Sequence, residues 1–85
     1  MELIICHSSI NNCSFIVIKN GSCFDRNIAK DLGLLYDDYI QILKNNNGFI
    51  INNYNDEYCF YTTKDAESAI KELEPYVVMA SLINE

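Results

Sequence analysis

Two apolar runs near the start of the chain predict a β-hairpin. The first covers residues 3–6, and the second covers residues 14–19, where phenylalanine, isoleucine and valine follow one another. Such β-branched and aromatic residues favour strands, and the polar residues 7–12 between the runs are typical of a loop. Because both runs are almost continuously apolar, we expect strands that are well buried or that meet a partner on one face.

The Asn20-Gly21 pair after the second run is a strong signal for a type I′ turn. Such a turn could return the chain as a short third strand over residues 22–24. A two-stranded and a three-stranded N-terminal sheet therefore both fit the sequence at this point.

The pattern changes after residue 24 and predicts two helices joined by a glycine turn. Asp25 is a good N-cap for a short helix over residues 26–32, and Gly33 suits a left-handed cap just beyond its end. The second helix is expected from about residue 36 to residue 45, with a glycine-capped end at Gly48. Its inward positions are expected to be Tyr39, Ile42 and Leu43.

A second hairpin and a long helix complete the pattern. Residues 49–52 and 58–61 predict strands around a polar, acidic tip. Thr62 is expected to open the last helix, with Asp65 as its capping-box partner. The apolar stripe of this helix keeps its phase across Pro75, so we expect a helix kinked near Pro75, or two abutting helices. The stripe is Ala66, Ala69, Ile70, Leu73, Val77, Ala80 and Ile83.

The predicted fold is α+β, in one domain over residues 1–85. The stretch from residue 25 to residue 44 resembles the helix-turn-helix family, and the hairpin that follows extends the resemblance to winged-helix proteins over residues 25–62. In that family a small residue, matched by Ala29, lets the helices cross closely, and a glycine, matched by Gly33, supplies the turn. The apolar set that forms the shared core is matched by Ile28, Leu32, Leu34, Tyr39 and Ile42.

Charge argues against the usual use of such a scaffold. The net charge is −6, with only six basic residues in the chain. The second predicted helix opens with Asp37 and Asp38, where a DNA-binding protein would present lysine, arginine or an amide. Two acids at this position also complement the helix dipole. An acidic chain repels nucleic acid and anionic membrane but suits basic protein surfaces, so we expect direct nucleic-acid binding and membrane binding to be unfavourable.

The acidic, asparagine-rich composition resembles that of small phage and mobile-element proteins, among them anti-CRISPR proteins. This resemblance implies a phage-encoded inhibitor that occupies a basic, nucleic-acid-binding surface of a host protein in the host cytosol. Tyrosine next to carboxylate is a usual composition for a protein-binding face. We expect that face to consist of Tyr36, Asp37, Asp38, Tyr54, Asp56 and Glu57.

The sequence offers little for catalysis or for a cofactor. His7 is the only histidine, the three glycines do not form a phosphate loop, and the cysteine spacings match no metal site. We therefore predict a protein that is not an enzyme and needs no cofactor. The four cysteines are expected to be reduced, with a Cys6–Cys13 bridge across the first hairpin as the alternative.

Two other functions remain open from the sequence. A small winged-helix transcriptional regulator could use the basic residues Lys19, Arg26, Lys30 and Lys44, as a homodimer through the C-terminal helix. A structural subunit could dock the stripe of that helix on another chain. No targeting signal or apolar segment of about 20 residues is visible, so we expect a cytoplasmic protein.

Overall fold

The computed structural model describes residues 1–9, 12–50 and 57–83. These residues form two small antiparallel hairpins and three helices, so the α+β class predicted from the sequence is confirmed. In chain order the elements are β1 (Leu3–Ser8), β2 (Cys13–Ile18), α1 (Asp25–Asp31), α2 (Tyr36–Asn45), β3 (Phe49–Ile50), β4 (Tyr58–Cys59) and α3 (Thr63–Ile83).

The N-terminal hairpin forms as predicted, and β1 is two residues longer than its apolar run. Its register opposes Leu3 to Ile18 at one end and Ser8 to Cys13 at the other. Every second residue of β2 from Ser14 to Ile18 is buried, because that face of the hairpin packs against the helices. All four cysteines are free thiols, so the Cys6–Cys13 bridge does not form.

The third strand and the type I′ turn were wrong predictions. Residues 22–24 are not in a strand, and of the Asn20-Gly21 pair only Asn20 has a positive φ, of 59°. The turn closes instead through the Gly21 N–H, which donates to the Ile18 carbonyl at 2.9 Å. A single left-handed residue reverses the chain here without extending the ladder.

The turn between α1 and α2 follows the prediction for Gly33. Its φ is +74°, and the Leu34 N–H donates back to the Ala29 carbonyl at 2.9 Å, while the Gly33 N–H donates to Lys30 at 3.0 Å. This pair of bonds is the Schellman arrangement, which satisfies the last carbonyls of a helix when the residue beyond its end is left-handed. The predicted N-cap at Asp25 is wrong, because Asp25 is the first helical residue and its side chain is buried.

Helix α2 has the predicted bounds but a slightly rotated buried face. Tyr39, Ile40 and Leu43 are buried, whereas Ile42 is half-buried at the edge of the core. Its end also differs from the prediction, because Asn47 takes the left-handed conformation with a φ of 68°. Gly48 follows it, and the Gly48 N–H donates to the Leu43 carbonyl at 2.7 Å.

The second hairpin is short and joins the first. Phe49 opposes Cys59 and Ile50 opposes Tyr58, while the predicted tip before Glu57 lies outside the described residues. Directly after β4, Phe60 exchanges two backbone hydrogen bonds of 2.8 Å with Ser14 of β2. The two hairpins therefore meet at this pair. The largest fully buried side chains of the described residues are Tyr39, Phe60, Ile28, Leu43, Leu73 and Cys59.

Helix α3 covers the buried face of the N-terminal hairpin. The Thr62 hydroxyl accepts the Asp65 N–H at 3.1 Å, which confirms Thr62 as the cap. The helix continues from Thr63 to Ile83 through Pro75, and a kink at Pro75 stays a prediction. The stripe is buried at Ala66, Ala69, Leu73, Val77 and Ala80, but Ile83 is 77% exposed because the helix extends past the core.

Substitution of Gly48 tests how closely the backbone after α2 approaches the last turn of that helix. A Cβ at Gly48 would lie 2.6 Å from the Leu43 carbonyl oxygen, so Gly48→Ala must shift the backbone. We expect Gly48→Ala to lower the free energy of unfolding by about 1–3 kcal/mol in urea denaturation. Gly33→Asn is the matched control, since a Cβ at Gly33 meets nothing within 4 Å and asparagine tolerates left-handed backbone. Equal losses in the two variants would contradict this close approach.

Candidate functional site

The carboxyl group of Asp25 is the most unusual polar group of the described structure. The residue is 3% exposed although it lies in the first turn of α1. Its Oδ2 accepts the backbone N–H of Tyr58 at 2.8 Å, and its Oδ1 lies 3.5 Å from the Tyr39 hydroxyl, at the outer limit of a hydrogen bond. One side chain therefore connects α1, α2 and β4.

Glu57 serves the N-terminus of α1 in place of a local cap. Its Oε2 accepts the Asp25 N–H at 3.2 Å, and its carboxyl group also lies beside that of Asp25. Two carboxyl groups in contact cannot both carry a charge without repulsion. The predicted binding residue Glu57 is thus half-buried and partly structural.

Burial sets the protonation of this cluster. Burial first, and then the negative charge of Glu57, raise the pKa of Asp25 from 3.8 to about 7, against the lowering effect of the Tyr58 N–H bond. The pKa of the Tyr39 hydroxyl is raised well above its usual value, by burial first and by Asp25 second. Tyr39 therefore stays a neutral hydrogen-bond donor, and Asp25 titrates close to neutral pH.

Tyr36 also has a structural role in the first turn of α2. The guanidinium carbon of Arg26 lies 4.2 Å from the centroid of the Tyr36 ring, which is a cation–π contact between the starts of α1 and α2. The ring is half-buried and packs against the core. Tyr36 and Glu57 both lie within electrostatic reach of the Tyr39 hydroxyl, so the structure brings these two predicted residues together.

Asp37 and Asp38 differ from this cluster because both are exposed to solvent. They occupy the first turn of α2, as predicted, and neither takes part in an ion pair within the described residues. The predicted set thus divides into a half-buried pair, Tyr36 and Glu57, and an exposed pair, Asp37 and Asp38. Tyr54 and Asp56 lie outside the described residues.

Three of the four basic residues suggested for DNA contact already have neighbours. The Lys19 ammonium lies 3.6 Å from Glu2, Arg26 stacks on Tyr36, and the Lys44 ammonium is 6.0 Å from the Tyr58 ring centroid. Lys30 lies in the last turn of α1, where a positive charge complements the helix dipole. These contacts distribute the basic residues over separate parts of the surface.

Two further groups, the Ser14 hydroxyl and the Cys59 thiol, are of a type that can act as nucleophiles. Ser14 Oγ lies 3.1 Å from His7 Nδ1, but Ser14 is only 2% exposed, so its hydroxyl does not reach solvent. Burial, followed by the neighbouring Cys13, raises the pKa of the Cys59 thiol, which keeps it protonated. Within residues 1–9, 12–50 and 57–83, no group of three histidine, cysteine or acidic side chains could hold a metal ion.

Comparison with protein families, with curated proteins and with solved structures finds no match to this chain. Among the described helices, none is long and apolar enough to cross a membrane.

Asp25 gives a prediction about pH. Below pH 3.8 the carboxyl is protonated in both states, and between pH 3.8 and about 7 only the unfolded chain loses the proton. The free energy of unfolding contributed by this group therefore falls as pH rises over that window. Asp25→Asn mimics the protonated acid, since its amide can accept from Tyr58 and donate to Glu57. We expect Asp25→Asn to gain on the order of 2 kcal/mol relative to the unmodified protein between about pH 4 and about pH 8.

Urea denaturation over this pH range measures the difference between the two proteins. Asp38→Asn removes the same charge at an exposed position and is the matched control for the loss of one carboxylate. The difference in the free energy of unfolding between Asp25→Asn and the unmodified protein should grow as the pH rises. A difference that stays constant or shrinks with rising pH would contradict the burial of a proton at Asp25.

Proposed function

We propose that this protein is an acidic protein-binding module that occupies a basic, nucleic-acid-binding surface of a host protein, as a phage-encoded inhibitor of the anti-CRISPR kind does. The observation that carries the proposal is the exposed acid pair Asp37-Asp38 at the start of α2, which forms no ion pair in the part of the chain that the structure describes. A partner that binds phosphate through arginine or lysine would supply the positive charge that these carboxylates do not meet among the described residues.

The charge of the whole chain supports this choice of partner. A net charge of −6 creates a negative field that attracts basic surfaces and accelerates association with them. The exposed acids of the described residues are Glu2, Asp31, Asp37, Asp38, Glu67, Glu72 and Glu74. Of these, Glu2 pairs with Lys19, and Glu72 accepts the Asn46 amide at 2.6 Å, whereas Asp37 and Asp38 remain available to a partner.

The helix pair α1–α2 holds Asp37 and Asp38 in a fixed position. The Schellman turn at Gly33 and the Arg26–Tyr36 contact fix the first turn of α2 against α1. In this interpretation the scaffold resembles a winged helix whose second helix faces a protein instead of DNA, with the tip carrying Tyr54 and Asp56 as the wing. Rigid presentation reduces the entropy lost on binding.

Charge reversal tests the position of the binding face. The double variant Asp37→Lys, Asp38→Lys should weaken binding to the partner at least tenfold, about 1.4 kcal/mol or more, because two attractive contacts become repulsive. The partner is first captured from bacterial lysate and then purified, and its affinity is measured by calorimetry. Double-stranded DNA should compete with the protein for the partner.

A matched control separates position from net charge. Glu67→Lys with Glu74→Lys makes the same change in net charge on the exposed side of α3 and should leave affinity within about threefold. Equal losses in the two double variants would contradict the assignment to α2. A gel shift that shows sequence-specific binding to DNA, reduced by mutation of Lys30, would replace this proposal with a winged-helix regulator.

A further inference from the structure

Strand β1 has a hydrogen-bonded neighbour on only one side in the described structure. The sheet order is β1–β2, and β2 continues to the second hairpin on its other side. At the start of the ladder, the Lys19 N–H donates to the Glu2 carbonyl at 2.8 Å. Residues that bond to the opposite strand alternate with residues that do not in an antiparallel pair. Residues 2, 4, 6 and 8 therefore bond to β2.

Strand β2 shows the same alternation from its other side. The Ile18 N–H donates to Ser22 at 3.0 Å, and Ser14 exchanges bonds with Phe60, so the backbone groups of Ile18 and Ser14 point away from β1. Their partners in the register are Leu3 and His7. Those two residues consequently receive no backbone hydrogen bond from β2.

The N–H and C=O groups of Leu3, Ile5 and His7 face the open side of β1. No backbone or side-chain hydrogen bond within residues 1–9, 12–50 and 57–83 pairs with them outside the ladder. Strand addition requires such a row of outward-facing backbone groups, here at three alternate residues of one strand.

The sequence of β1 lacks the features that normally prevent edge pairing. Its six residues, Leu-Ile-Ile-Cys-His-Ser, include no lysine, no acid and no proline. Cys6 and His7 are exposed, and Ile4 and Ile5 are only half-buried. Edge strands that must stay unpaired usually carry a charge, a proline or a bulge.

We propose that a second copy of this chain pairs with β1 in antiparallel orientation, about a two-fold axis at Ile5. In this register Leu3 lies opposite His7 of the second copy, and Ile5 lies opposite its own equivalent. Every outward-facing N–H and C=O of the two strands then has a partner. The N-terminal hairpins of the two copies then form one continuous four-stranded sheet with closed two-fold symmetry.

Charge selects a second copy in this orientation. Antiparallel pairing places Glu2 opposite Ser8 of the other copy, whereas parallel pairing would bring the two Glu2 carboxylates together. The strand between them is uncharged, in a chain whose net charge is −6. Two copies can therefore approach here without opposing carboxylates, while a basic partner gains nothing from this edge.

Two substitutions of His7 distinguish the effect of its outward backbone N–H from the effect of its side chain. His7→Pro removes an outward N–H without removing a bond to β2, and edge strands tolerate proline at such positions. His7→Ala loses the same imidazole and its Ser14 contact but keeps the N–H. We expect the unmodified protein and His7→Ala to sediment as dimers at micromolar concentration, and His7→Pro to sediment as a monomer with an unchanged far-ultraviolet circular dichroism spectrum.

A cross-link tests the register even if His7→Pro does not fold. Ile4 lies opposite Cys6 of the second copy in a pair without backbone bonds, where Cβ atoms are about 4.5–5.5 Å apart and a disulfide needs little movement. With exposed Cys23 changed to serine, Ile4→Cys should give a covalent dimer on mild oxidation. The same chain with Cys6→Ser should not.

Three results would overturn the proposal. The first is an unmodified protein that stays monomeric at all concentrations tested, and the second is cross-linking of Ile4→Cys no faster than in its Cys6→Ser control. The third is a dimer that survives His7→Pro but dissociates in Leu82→Lys, because Leu82 is 66% exposed on α3 and its loss would assign the interface to the C-terminal helix.

Discussion

The contact between the Asp25 carboxyl and the Tyr58 N–H holds the helical half of the molecule to the second hairpin. Asp25 begins α1, Tyr58 begins β4, and the Tyr39 hydroxyl approaches the same carboxyl from α2. A buried polar group is costly unless it is hydrogen-bonded, so this carboxyl restricts where all three elements can lie. It also explains why Glu57 is drawn inward, since its carboxyl group both receives the Asp25 N–H and lies beside the Asp25 side chain.

Periodicity predicted the elements better than it predicted the role of individual polar residues. The bounds of α2, the Thr62 cap and the left-handed Gly33 followed from local preferences, because backbone geometry alone decides them. Asp25 did not follow, because an aspartate before a helix suits a cap equally well, and only the tertiary position of β4 supplies the competing N–H. Asn47 and Gly48 exchanged their expected roles for a similar reason, since close approach to Leu43 leaves no room for a Cβ at Gly48.

In the candidate binding face too, the sequence predicted the general character of the surface better than the role of each residue. Composition predicted an acidic, tyrosine-containing binding face, and the structure exposes Asp37 and Asp38 in the first turn of α2. Composition could not distinguish Tyr36, which stacks under Arg26, from a tyrosine available to a partner. If two copies pair through β1, the acids of both would contribute to one field, and salt would weaken attraction to a basic partner more than it weakens the backbone contacts of the edge.

The bond pair between Ser14 and Phe60 has a consequence for how the chain reaches its fold. These residues belong to different hairpins, and α1 and α2 lie between them in the chain. The loop that this pair closes contains most of the molecule, so its entropy of closure is offset only after the intervening helices have become compact. The first hairpin can form early from neighbouring residues, whereas β4 must wait for the helices. Folding of this small chain is therefore expected to be limited by one late, long-range step that joins the second hairpin to the first.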